Sequence, residues 1–261
     1  VWAGATYFKP VTDLRDCRAA DGTLAIDAYA QGVGLAYQAQ YAAAISAFDT
    51  ALGCAPDYAN AWVARAEARA ALGDYAAAIA DYETAQKAGN NAAFVAGDLA
   101  WLYYLTGRLD EATAMNRQAL AASPDELWIQ FDLGLSLLAA GDVDGARVEY
   151  QKGMDLAARA VATAKELGQE PPSHLWWSLD DAAASLDDLL LTLETGEGEP
   201  APSAIVNPDV AADAAATLLA QLKSHAVALE FTGTPPAGAL SAAVSPFTIG
   251  EPLVDDAGEV V

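Results

Sequence analysis

The chain holds few groups of the kind that catalysis or metal binding uses, and their spacing suits neither. His174 and His225 are its only histidines, and neither has a second histidine or cysteine at metal-ligand spacing. Asp180-Asp181 and Asp187-Asp188 offer paired carboxylates, the raw material of an acid–base dyad or a calcium site. They fall together on the polar side of one helical stretch, without the alternating oxygen ligands of a calcium loop. Asp142-Val143-Asp144-Gly145 imitates such a loop only over four residues. Gly32-Val33-Gly34 is not followed by the Lys and Ser/Thr of a phosphate cradle, and no nucleophile-elbow pattern occurs. The expectation is a protein that is not an enzyme, with no cofactor and no metal.

Charge narrows the partners. Thirty-six acids against 13 bases give a formal net charge of −23, and the few Lys and Arg are scattered. Nucleic-acid binding needs clustered cations to replace counterions, so it is not expected. The same charge disfavours anionic membrane surfaces. No run of about twenty apolar residues exists to cross a bilayer as a helix.

The positions that matter recur. Tyr41, Tyr75, Leu109 and Val143 stand thirty-four residues apart, each two residues after Ala39, Gly73, Gly107 or Gly141. Three residues on come Ala44, Ala78, Ala112 and Ala146, then Phe48, Tyr82, Asn116 and Tyr150, then Ala51, Ala85, Ala119 and Gly153. Pro56, Asn90 and Pro124 close three units at the same interval. A period in this range means stacked supersecondary units, none of which buries its apolar face alone. Each unit reads as two amphipathic helices, the first pair near 25–38 and 41–54. Glycine at the turn supplies the left-handed backbone that ends a helix, and Pro56 and Pro124 suit the opening of the next unit. The repeated alanines allow close helix approach while the aromatic positions fill the space between.

Trp62, Ala66, Gly73, Tyr75, Ala78, Tyr82 and Ala85 make this pattern resemble the tetratricopeptide repeat, over about residues 25–158. Departures are Ala39 for the turn glycine, Asn116 for an aromatic and Ala158 for the closing proline. Without that proline the last helix should run from Val143 to about Leu167. The resemblance implies an all-α, right-handed superhelical solenoid, here with additional C-terminal helices and an extended Gly/Pro-rich tail. It further implies that the first helix of each pair lines a concave groove. In this sequence that groove is Ile26, Tyr29, Val33, Val63, Phe94, Trp101, Tyr104, Trp128, Phe131, Leu135 and Leu138. It is apolar and aromatic, without the Lys, Arg and Asn by which chaperone-binding relatives clamp a peptide carboxylate.

The chain accordingly divides into an N-terminal segment with a capping half-repeat (1–24, helical from Thr12 to Ala20), an array of four repeats (25–168), a C-terminal helical pair (173–231) joined by a linker at 195–208, and a tail (232–261) in extended style, the start of a strand or of a further domain. Ser173 is expected to cap the helix that follows Pro171-Pro172. In the repeat register Cys17 and Cys54 lie near the ends of consecutive second helices. They either form a bridge, which implies an oxidising compartment, or remain two thiols.

A large apolar groove needs an occupant: the chain's own later helices, a foreign protein or peptide, or another copy. The expected function is a non-catalytic scaffold for protein–protein contacts, extracellular, cell-surface or periplasmic. A solenoid has two different ends, so end-to-end contacts can build a filament. Trp2, Tyr7, Phe8, Phe247, Ile249, Leu253, Val254 and Val260 are the candidate joints. The alternative is a module binding a small apolar or glycan ligand, with Trp101 and Trp128 as stacking platforms.

Overall fold

A computed structural model describes residues 17–90, 92–200 and 202–229. The tail from 232 and the assembly candidates Trp2, Tyr7, Phe8, Phe247, Ile249, Leu253, Val254 and Val260 lie outside the described residues. The protein is all-α, built of tandem helix hairpins. The helices are α1 (Ala25–Tyr37), α2 (Tyr41–Cys54), α3 (Ala59–Ala70), α4 (Tyr75–Lys87), α5 (Ala93–Leu105), α6 (Leu109–Ala122), α7 (Leu127–Ala139), α8 (Val143–Glu166), α9 (Ser173–Thr195) and α10 (Pro208–Ala228). The described residues fall into two compact units, the first ending at Leu102 and the second beginning at Tyr103.

Helix ends follow from local chemistry. Gly73, Gly107 and Gly141 all adopt the left-handed turn conformation, and so does Ala39, at φ 56°. An alanine held there carries a Cβ that crowds the following carbonyl. Asp142, which on sequence imitates a calcium ligand, caps α8 by accepting the Gly145 amide at 2.9 Å. Asp74 caps α4 in the same way through Ala77. Pro56 and Pro124 sit in turns ahead of α3 and α7 rather than inside their first turns. Ser173 begins α9 instead of capping it; Pro172 holds the cap position, and no side chain bonds there. With no breaker at Ala158, α8 runs unbroken to Glu166.

In the first unit α1 packs on α2, α2 on α3 and α3 on α4. Close approach depends on the alanines and glycines: Phe48 lies so near Gly32 that a Cβ there would stand 2.5 Å from its ring. The half-repeat helix expected at 12–20 is not helical in its described part, 17–20. Arg18 forms an antiparallel bridge with Leu24 instead, and Ala25 donates to the Cys17 carbonyl at 2.9 Å. Cys17 is joined to Cys54 by a disulfide with Cα atoms 5.8 Å apart.

In the second unit α6 packs on α7 and α7 on α8, but α9 does not simply add a further repeat. It is seated on α7, and α10 packs on α9, α8 and α7. As a result α7 is buried almost all round, as its mostly apolar sequence requires. The connection between α9 and α10 crosses two repeat turns. Ala204 lies over Gly107 and Val206 over Gly141, each too close for a Cβ on the glycine. The Val206 amide also donates to the Ala139 carbonyl at 2.8 Å.

Candidate partner-binding face

The expected groove residues go to three different places. Tyr29 and Phe131 turn into hairpin cores. Tyr29 meets Tyr58 edge-on at 4.9 Å and Phe48 at 5.9 Å, and Phe131 meets Tyr150 at 5.4 Å. Val33 and Val63 in the first unit are buried, as are Tyr104, Leu135 and Leu138 in the second. Ile26, Trp101 and Trp128 are partly buried. Phe94 alone of the set is exposed, at 46%.

The second unit covers its own first-helix face, since α9 occupies α7. Tyr104 and Tyr150 there are pushed up by burial, with Asp132 adding to both; Asp188 adds to Tyr104 and Asp181 to Tyr150. Asp187 pairs with Lys223 of α10 at 3.2 Å, and all four acids of the two α9 pairs lie on the helix's exposed side. His225 of α10 binds the Met154 carbonyl at 2.9 Å, a link between helices. Among the described residues no group of three or more His, Cys, Asp or Glu is placed to hold a metal.

The first unit carries charge on two faces of α3. On one, Arg65 grips Asp81 through Nε and Nη2 at 2.8 and 2.7 Å, Arg69 adds a contact at 2.7 Å, and Arg65 Nη1 reaches Asp49. The Arg65 guanidinium lies over Trp62 at 4.5 Å. These contacts tie α2, α3 and α4 together, and the cations are consumed within the fold.

On the other side stands a group that the expected groove omitted. Glu67 occupies the register of Val33, Trp101 and Leu135, yet it is an acid with only 6% exposure. Burial pushes its carboxyl well above the usual range, and the neighbouring Asp98 pushes it further. Burial also raises Asp98 to about 7, against a hydrogen bond from the Tyr82 hydroxyl at 3.2 Å that lowers it. Phe94, Asp98 and Trp101 follow one another at i, i+4 and i+7, so they share one face of α5. The signal in the sequence was an acid at a position where the other three units are apolar.

The tetratricopeptide repeat model matches residues 29–93 and 98–165, together half of the chain. No curated protein matches. Among solved structures, one of MamA superposes with a TM-score of 0.54 at 12% identity, covering 80% of this chain and 96% of that one. A second MamA structure gives 0.52 at 12%, covering 77% and 96%. PilF of Pseudomonas aeruginosa gives a TM-score of 0.47 at 22% identity, covering 77% of this chain and 91% of that one. At these identities the likeness concerns the fold alone.

Proposed function

Since this chain belongs to the tetratricopeptide repeat family, we propose that it is a non-catalytic scaffold for protein–protein contacts, and that its first unit receives the partner. The observation that carries this reading is the difference between the two units. In the second, α9 already fills the first-helix face. In the first, Phe94 is exposed beside the partly exposed Trp101, and aromatic side chains of this kind are where binding energy concentrates. Selection of displayed peptides on the immobilised full chain tests it. Binders that compete for one site and weaken on Phe94→Asp are expected; binders unaffected by that change overturn the assignment.

Two finer features belong to the same reading. The Cys17–Cys54 bridge is of the kind that persists in oxidising surroundings, which supports a place outside the cytoplasm. End-to-end self-association is supported by the general inequality of a repeat array's two ends. Sedimentation velocity over a range of concentrations checks it: growing species are expected, and a monomer at every concentration overturns it. A small-ligand role has less to recommend it. The second unit has a cavity of about 250 Å³, but Asp125, Gln130, Lys152, Asp155 and Arg159 line it, and no aromatic platform does.

A further inference from the structure

Resting on the scaffold reading, we propose that Glu67 and Asp98 form an anionic slot that takes the ammonium or guanidinium of a Lys or Arg side chain in the partner segment. Two independent observations point to such a ligand. Glu67 is more than nine-tenths buried and receives neither a hydrogen bond nor an ion pair from any described residue. The nearest cations on its own helix, Arg65 and Arg69, are turned away and held by Asp81 and Asp49. A buried carboxyl without a counter-charge is a costly arrangement unless something arrives to match it. The second observation is the surround. Asp98 is held in place by Tyr82 and keeps some accessible surface, while Phe94 and Trp101 on the same face of α5 give an alkyl stem an apolar and aromatic path to it. Acid at the end of an aromatic approach is the chemistry that recognises a long basic side chain, whose stem and head differ in polarity.

The other groups facing the pair are hydroxyls: Tyr29 from α1 and Tyr82 from α4, both pushed up by burial and neutral throughout the working range. Protons therefore compete with the incoming cation only at the two carboxyls. Binding of a basic side chain should release protons and tighten as pH rises.

The experiment uses the full chain and two synthetic nonapeptide pools of Ala, Leu and Tyr, one with a central lysine and one with a central norleucine of equal stem length. Fluorescence anisotropy at pH 8 should show the lysine pool binding about tenfold more tightly. That advantage should shrink at pH 5.5 and vanish in Glu67→Gln and in Asp98→Asn. Equal binding of the two pools would overturn the slot and leave the scaffold reading standing. A lysine advantage that survives both substitutions would also overturn it, since the cation would then be recognised elsewhere. If neither pool binds, the slot fails together with the assignment of this face. Carboxyl carbon NMR gives a second readout free of folding defects: added Nα-acetyl-lysinamide should lower the titration midpoints of Glu67 and Asp98, and unchanged midpoints count against the proposal.

Discussion

Gly32 of α1 and the Phe48 ring of α2 are in contact so close that a Cβ on the glycine would fall 2.5 Å from a ring carbon. Gly134 and Tyr150 repeat the relationship at the equivalent positions of the fourth hairpin, at 2.6 Å. Glycine at this position lets an aromatic sit where a helix backbone would otherwise stand off. Gly32→Ala should therefore cost about 1–3 kcal/mol through overpacking. Gly34, two residues on, has nothing within 4 Å, and Gly34→Ala should gain up to about 1 kcal/mol of helix propensity. Urea melts of both variants check the opposite signs.

Ala39 occupies the turn position that glycine holds in the other three hairpins, at φ 56°. Ala39→Gly should stabilise the protein by about 1 kcal/mol, because relief of left-handed strain exceeds the added freedom of the unfolded chain. A lower urea midpoint for the variant would contradict this account of the turn.

The repeat period, both helices of each hairpin and the length of α8 were legible in the sequence, because thirty-four-residue spacing and helix punctuation are local properties. The seating of α9 was not. Its leucines state that one side is apolar, and periodicity does not say which helix that side meets. The placement of Tyr29 and Phe131 in hairpin cores was missed for a related reason: register assigns a position to a face, while these rings pack on the aromatic rings of Phe48, Tyr58 and Tyr150. Glu67 could have been noticed as the single acid among Val33, Trp101 and Leu135. Its burial and its nearness to the charge of Asp98 on another helix are tertiary facts, which no spacing reveals.

Asp81 is almost wholly buried and accepts from two arginines at once. Asp81→Ala leaves Arg65 and Arg69 without their shared partner in a partly buried site, and the expected cost is about 3–5 kcal/mol. Asp49 is half exposed, so Asp49→Ala should cost no more than about 1 kcal/mol. Equal effects of the two substitutions would show that the latch is not organised around Asp81.

Burial raises the folded-state carboxyls of Glu67 and Asp98, the latter from 3.8 to about 7. Between those values the folded protein holds protons that the unfolded chain has released. Linkage then makes stability fall as pH rises from about 4 to about 7. Glu67→Gln and Asp98→Asn should each flatten this decline relative to the parent, measured by urea midpoints across the range. A parent and variants with parallel profiles would refute the shifted carboxyls.

The Cys17–Cys54 bridge closes a loop of 37 residues' separation. Chain entropy assigns such a closure about 4 kcal/mol. Reduction should lower stability by an amount of that order, and the Cys17→Ser, Cys54→Ser double variant should match the reduced parent and ignore reductant. Reductant sensitivity in the double variant would locate the effect elsewhere.

The central claim is that partner contact belongs to the first unit, at the α5 face that begins with Phe94. Its most direct measurement is the affinity of one selected peptide for the parent, for Phe94→Asp and for Val148→Asp, the last a comparably exposed apolar residue of the second unit. A loss of about tenfold or more, about 1.4 kcal/mol, is expected at Phe94 and none at Val148. Undiminished binding to Phe94→Asp, or an equal loss at Val148, would contradict it.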